Sequence, residues 1–519
     1  MKYFYSWLIF IALGILLYGT NLNRMPRGVH AWGQADRLSL AKNFLEEDNL
    51  FSPATHCLQT EGGKVGCEIA LIPYIAAKIS SIFHIPYYLP FVYRFINWSI
   101  LGLGYMFFIR ILSIHFRFSW MHSSLLSLFL FSSPVLLFYG YNFLMDAPAF
   151  SLVITSLYYI IEWTKTKKVK PYLIALSLLS LAAVLKNSTL IFWGALVLSA
   201  LVFTLRRFKT LNNRPAYLFS FIAAVVFLLL LSYYTYYYYI LFNKENWSFV
   251  FLSETRPLQI PEEIGLLGYA LKKWFLEYFT WYQWLALLLA TVALIYSLIK
   301  KGFKFLPSEF WIFISSAFVA FMVLLVVLGK QFPDHDYYAI ATLFPFIFMF
   351  WIVYLWLANG KLFSGIISGT ALLAMVILNF KVVYSQIQLR SQPTYVRGEI
   401  YAYNEPEWLK NGEKIIDSLG IDKKAVFLVP YAYSMNIHLV YINRKGLIVT
   451  EEEMNREQDF YERWINQIQP QYMLLQNKFI DPFFTRREDF NKYIDLIYTN
   501  SDFSIYKFKE DMPKFILNY

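Results

Sequence analysis

Apolar runs long enough to cross a hydrocarbon core recur along the first 380 residues, separated by short polar or basic stretches. A crossing helix needs about 20 predominantly apolar residues. On that measure the pattern predicts about eleven spans, at 3–20, 88–109, 123–140, 147–163, 171–185, 188–205, 216–241, 282–299, 309–329, 339–357 and 362–380, of which 171–185 is short. Three segments outside the spans are long enough to build a site: 21–87, 242–281 and 381–519. In the first, residues 33–47 place Ala35, Leu38, Ala41 and Leu45 at helical spacing, with Asp36, Arg37, Lys42 and Glu46 elsewhere, which predicts an amphipathic helix lying in the interface. Ile72, Ile75, Ile79 and Ile82 form a second stripe within Ile69–Phe83, too short to span before His84-Ile85-Pro86. Between the two lies a polar loop, Phe51–Glu68, with both cysteines of the chain. The last segment reads as a small α/β domain, with strands at Ala425–Pro430, Tyr472–Gln476 and Phe503–Phe508, a helix at Gln458–Gln467, and Asn436–Tyr441 ahead of a turn at Asn443–Gly446.

Composition agrees with a membrane chain, since 58% of the 519 residues are hydrophobic and 16% charged, against about 25% charged in soluble proteins. The net charge of +11 invites a nucleic-acid partner. That reading is rejected, because the basic residues sit in short clusters between spans. Arg110 and Arg117, then Lys165–Lys170, then Arg206–Arg214, then Lys300–Lys304 occupy alternate loops. By the positive-inside rule the N-terminus is cytoplasmic; an odd number of spans then puts the C-terminal domain outside. The first span resembles a signal peptide and is read as retained. The Tyr233–Tyr239 run reads as an interfacial belt or helix packing. Cys57 and Cys67, ten residues apart in a loop assigned to an oxidising compartment, are expected to form a disulfide that limits the disorder of that loop, by about 2–4 kcal/mol. No Gly-rich phosphate loop and no metal-ligand spacing of His and Cys is present.

The order of short motifs resembles the GT-C fold membrane glycosyltransferases, the bacterial relatives of protein O-mannosyltransferases and of the lipid A aminoarabinose transferase. His30–Asp36 resembles the family's acidic motif at the head of the first interfacial helix, and Cys67–Pro73 the segment opening the second. Arg94 stands where relatives often carry an arginine, Met145–Pro148 looks like the second acidic motif, Leu185–Asn187 like a basic turn, and His335–Tyr338 like the motif before a late span. The resemblance implies a polytopic α-helical fold, with a transmembrane domain over 1–380 and an extracytoplasmic α/β domain over 381–519. It implies transfer of a hexose or pentose from a polyprenyl-phosphate donor to a lipid, glycan or protein hydroxyl, generally with inversion, and a membrane lipid environment. On this reading Asp36 and Asp146 are catalytic, and Glu68, Arg94, Lys186, His335, Asp336, Tyr337 and Tyr338 bind the substrate or the donor phosphate. No cofactor is required by this chemistry. A divalent metal ion stays open, and is weakened by Ala35 preceding Asp36 where many relatives have two adjacent acids.

Each residue also has a structural explanation. Asp36 suits a helix start through the dipole, Asp146 with Pro148 suits a first turn, Lys186 can snorkel from a span end, Arg94 can anchor at the interface, Glu68 can be a solvated loop acid, and His335 and Asp336 can end a helix. A transporter or lipid flippase is the competing class. It would place charges near the middle of spans or use paired broken helices, whereas this chain keeps most acids at span ends.

Overall fold

The computed structural model describes residues 1–210, 213–246, 248, 250–251, 260–301, 306–328, 331–357, 366–392, 406–455 and 465–510. The chain divides into two compact units. One gathers Met1–Leu22, Phe91–Thr235 and Glu254–Arg390; the other gathers Asn23–Pro90, Tyr236–Ser253 and Ser391–Tyr519. The boundary therefore does not fall at residue 380: the first outer segment belongs with the C-terminal domain.

Helices run along the chain as α1 (Lys2–Tyr18), α2 (Ala31–Asn43), α3 (Leu71–Ile82), α4 (Leu89–Arg110), α5 (Trp120–Phe131), α6 (Pro134–Gly140), α7 (Asp146–Thr166), α8 (Val169–Leu185), α9 (Leu190–Arg206) and α10 (Arg214–Tyr234). After the short α11 (Phe242–Glu245) come α12 (Ile260–Tyr278), α13 (Trp281–Lys301), α14 (Ser308–Leu328), α15 (Tyr338–Thr342), α16 (Phe344–Leu357) and α17 (Ile366–Arg390). In hydrocarbon every backbone polar group must be satisfied within the segment, which favours this all-helical solution. In the first unit α7 packs along α8, and α9 along α14.

Helices occupy the eleven expected segments wherever those are described, yet among the described residues seven stretches are long and apolar enough to cross a membrane, or eight if a bent pair counts as one. The difference has local causes. Helices α1 and α8 are 17 residues each, and α7 carries Asp146, Glu162 and Lys165. The span expected at 123–140 is instead α5 and α6, bent by 89°. Pro134 cannot continue the ladder of α5, and the Ser133 hydroxyl accepts the Leu136 N–H to cap the new helix at 3.2 Å. The expected outer loop 242–281 contains a helix of its own, α12.

The second unit is built on a five-stranded sheet. Strands β1 (Phe427–Pro430), β2 (Gly446–Val449), β3 (Tyr472–Gln476), β4 (Ile494–Thr499) and β5 (Phe503–Phe508) lie in the order β2-β1-β3-β5-β4. The three on the β2 side are parallel, and β5 runs antiparallel to both β3 and β4. Helices α18 (Gly412–Ser418) and α19 (Ile437–Ile442) accompany them; Asn443 follows α19 in the left-handed region, at φ 50°. The segment Asn436–Tyr441 is thus mostly helix, and 458–464 of the expected helix lies outside the described residues.

The open edge of β2 is covered by the first outer loop. Gly446 donates to His56 O at 2.9 Å and accepts from Leu58 N at 2.8 Å. A side chain at Gly446 would run into Phe427 O, so glycine is what lets three backbones meet there. Residues Ala31, Ala35, Leu40, Cys57 and Cys67 share one hydrophobic core with Phe427, Leu439, Leu447 and Leu474.

Two expectations are corrected here. Helix α2 is not amphipathic in its surroundings: Gln34, Asp36, Ser39 and Asn43 are buried together with Ala35, Leu38 and Ala41. Cys57 and Cys67 are buried and are not joined in a disulfide. The loop between them is closed by backbone instead, with Thr55 N donating to Gly63 O at 2.8 Å and Val65 N to Pro53 O at 2.9 Å. Helix α3 does keep an apolar outer face, since Ile75, Ile82 and Phe83 are exposed while Ile72, Ala76 and Ala77 are buried.

Candidate functional site

Two constellations, one in each unit, collect the residues singled out by the sequence. In the second unit the chain approaches α2 through Gly28 at φ 74° and His30 at φ 54°. A left-handed histidine is uncommon. The Gln34 amide secures this approach by donating to Arg27 O and Val29 O, both at 2.9 Å. Because α2 starts at Ala31, Asp36 sits in the second turn, where the pull of the helix dipole has largely faded.

Asp36 is 4% exposed. Its Oδ1 accepts the Asn436 side-chain N–H at 2.8 Å. Burial raises its carboxyl to about 7, with Asn436 and then Arg37 pulling the other way. Arg37 itself turns to Glu68, 3.2 Å away, and lies over the Phe251 ring at 4.8 Å. Glu68 is therefore a buried ion-pair partner and not a solvated loop acid. Beyond Asn436 the polar net continues through Ser39, whose Oγ accepts His56 N–H at 2.7 Å. Asn43 donates to His56 Nδ1 at 3.2 Å, so the ring proton resides on Nε2, facing Asn443 Oδ1 at 3.4 Å. Burial pushes His56 down to about 3, which keeps it neutral.

In the first unit, Asp146 opens α7 and lies 3.6 Å from the Lys186 ammonium. That ammonium also sits over the Tyr338 ring at 4.9 Å and the Tyr337 ring at 5.9 Å. His335 packs against both tyrosines, with ring centroids at 5.4 Å, and its Nδ1 donates to Gln331 O at 3.1 Å. The loop presenting Asp146 is held by α4: Tyr93 donates to Phe143 O at 2.9 Å and Asn97 to Asn142 O at 2.6 Å. Arg94 joins them, stacking over Phe143 at 4.2 Å and donating to Leu22 O at 3.1 Å. It is a buried brace for the Asp146 loop, not an anchor at the interface.

Asp336 differs from its neighbours in the motif. Its Oδ2 meets Arg390 at 2.5 Å and its Oδ1 accepts from Tyr139 at 2.7 Å. Arg390 also binds Glu277 at 2.7 Å, and all three charged side chains are fully buried. This set is locked internally, whereas the Lys186 ammonium is held by Asp146 and the faces of the two tyrosines.

The chain is similar to ArnT. The crystal structure of ArnT from Cupriavidus metallidurans in the apo state matches with 11% identity over 96% of this chain and 97% of that chain, at a TM-score of 0.48. The same protein bound to undecaprenyl phosphate matches with 11% identity over 97% and 98%, at 0.47. An Archaeoglobus fulgidus oligosaccharyltransferase in complex with Zn and sulfate matches with 12% identity, over 98% of this chain and 74% of that chain, at 0.48. No family model and no curated protein matches the sequence. None of these three likenesses reaches a TM-score of 0.5, so the chemistry is read from the residues.

The donors around Asp36 do not by themselves form a divalent-metal site. The polar neighbours of Asp36 are an amide and a guanidinium, Glu68 is engaged by Arg37, and among the described residues no three His, Cys, Asp or Glu side chains gather as a ligand set. Sequence reasoning missed Asn436, Ser39, His56, Tyr139, Glu277 and Arg390. The exposed-looking polar pattern of α2 was the one available signal for the first three, since a helix with polar residues on every face calls for partners.

Proposed function

We propose that this chain is a glycosyltransferase that moves a sugar from a polyprenyl-phosphate donor to an acceptor hydroxyl at the outer face of the membrane. The observation that carries this is Asp36, a buried carboxylate raised to about 7 and held by a neutral amide. A general base works best when its pKa lies near the operating pH. Asp36 takes the proton of the acceptor hydroxyl, the acceptor oxygen bonds to the anomeric carbon, and the bond from that carbon to the phosphate oxygen breaks. The electron pair leaves with the polyprenyl phosphate, and a single displacement of this kind inverts the anomeric centre. Lys186, flanked by Tyr337 and Tyr338, is the group suited to a phosphate anion, with Asp146 as its resting counter-ion. The activated donor supplies the driving force, and no step passes through a metal ion. The buried charges Glu277, Asp336 and Arg390 stand at or beside helix ends rather than mid-span, unlike the pattern of a transporter.

The test uses detergent-purified protein and radiolabelled polyprenyl-phosphate sugars, with no membrane gradient. Wild type is expected to release or transfer the label, with the rate falling as pH drops below about 7, because the base must be ionised to accept a proton. Asp36→Asn should insert normally and lose about 10²–10⁴-fold in rate. Near-normal turnover in that variant would remove Asp36 from the mechanism, and absence of any release by wild type would favour transport.

A further inference from the structure

We propose that Asn436, carried by the C-terminal domain, is a positioning residue for the general base: its side-chain N–H fixes the Asp36 carboxylate and donates to its ionised form. This rests on the base role of Asp36 argued above. Asn436 is fully buried. Its Oδ1 accepts the Cys57 backbone N–H at 3.0 Å. That donor settles which way the amide points, because the flipped amide would set its own N–H against the Cys57 N–H. The nitrogen is thereby directed at Asp36, 2.8 Å away.

The local structure shows what is given up for this contact. Asn436 is the residue preceding α19, where an asparagine normally accepts a backbone N–H from the first turn. Here its side chain makes no capping bond and is turned to α2 and to the loop of Cys57 instead. The choice of an amide also has chemical content. A lysine or arginine in this place would hold Asp36 ionised more strongly and weaken it as a base. Asn436 orients the carboxylate through one neutral hydrogen bond and leaves its proton affinity largely in place. The C-terminal domain is then part of the catalytic apparatus and not only a lid or an acceptor-recognition module.

Several of the other titratable groups on the packed elements stay in one charge state over the range of the measurement. On α2 itself, Arg37 is paired with Glu68, and Lys42 reaches Glu413 of α18 at 3.9 Å. His56 on the loop and His438 on α19 are both driven down to about 3 by burial, and Cys67 is driven up to about 12. The histidines and the thiol therefore keep one protonation state between pH 5 and pH 9.

The experiment measures kcat/KM against pH for the detergent-purified full chain, with a radiolabelled polyprenyl-phosphate sugar, in wild type, Asp36→Asn, Asn436→Asp and Asn436→Ala. Asn436→Asp keeps an oxygen for the Cys57 N–H but replaces the donor with a second carboxylate. Its acid limb should move up by about one pH unit or more, a tenfold loss at any pH below the limb, with KM for the donor unchanged. Asn436→Ala, which removes the donor without adding charge, should shift the limb in the same direction by less. Folding of each variant is confirmed by thermal unfolding in detergent. An unmoved acid limb in a folded variant, with Asp36→Asn inactive, overturns the positioning role and leaves the base intact. Turnover in Asp36→Asn overturns both.

Discussion

Burial strips a carboxylate of its hydration, and the two units respond to this differently at Asp36 and at Asp336. Asp36 receives one neutral hydrogen bond, and its proton affinity rises. Asp336 receives the Arg390 guanidinium at 2.5 Å and the Tyr139 hydroxyl at 2.7 Å, and Glu277 binds the same guanidinium at 2.7 Å. The first arrangement keeps a carboxylate reactive; the second keeps it structural. Asp336→Asn removes one of the two carboxylates on Arg390, which keeps Glu277, and weakens the acceptor of the Tyr139 hydroxyl; a hydrogen bond to a charged group is typically worth about 1.5–3 kcal/mol. Asp336→Asn is therefore expected to unfold at clearly lower temperature in detergent and to yield less folded protein, while Asp36→Asn keeps its thermal stability and loses turnover. An Asp336→Asn protein that is as stable as wild type but slow would return this residue to the donor site. The acids themselves were legible in the sequence, because each stands in a short motif outside the apolar runs. Their partners were not: Asn436 is 400 residues from Asp36, and Arg390 is 54 residues from Asp336, distances at which local spacing carries no information.

At the scale of elements, periodicity located helices α2 and α3 and strands β3 and β5 within a few residues, since these depend on local patterning. It failed where the environment is supplied by distant chain. Counting Asp36, Arg37, Lys42 and Glu46 as a solvated face gave an amphipathic α2, whereas Asp36 is buried on Asn436, and Ser39 and Asn43 are buried against the loop at His56. The same distant packing decides the cysteines. Cys57 is drawn to Gly446 as a parallel bridge and its N–H is engaged by Asn436, while Cys67 lies in the core with its thiol pushed up to about 12 by burial. The antiparallel contact of Ala54 with Lys64 closes the loop without a covalent link. Alkylation of non-reduced protein is expected to label neither thiol in the native state and both after denaturation, as read by intact mass. A pair that stays unlabelled in denaturant would restore the disulfide.

For the molecule as a whole, the question the helices leave is which of them cross. Helix α7 has 21 residues, about 32 Å at 1.5 Å per residue, but carries three charges; α8 has 17, about 26 Å against a hydrocarbon core of about 30 Å. A shortfall of that size is met by thinning of the bilayer and by snorkelling lysines, at fractions of a kcal/mol per Å. Lys168 and Lys170 at one end of α8 are placed for it. The charges of α7 also fall toward its ends, Asp146 in the first turn and Glu162 and Lys165 within the last five residues, so the middle of the helix is clear for hydrocarbon. Both helices are therefore expected to cross, as the alternation of basic loops requires. Helix α4 ends at Arg110, the turn from α7 to α8 holds Lys167 and Lys168, α9 ends at Arg206 and α13 at Lys301; Asp146 and Lys186 occupy the opposite ends of α7 and α8. Reporter fusions after Lys168, Arg207 and Lys301 should read cytoplasmic, and fusions near Pro53, after Asn187 and after Lys410 should read outside. The Asn187 fusion is the decisive arm, because it reads outside only if α8 crosses despite its length. A cytoplasmic signal there would make α7 and α8 a hairpin that does not traverse, and a cytoplasmic signal after Lys410 would move Asp36 and Asn436, which share one compact unit with that residue, to the opposite side from a lipid-linked donor at the outer face.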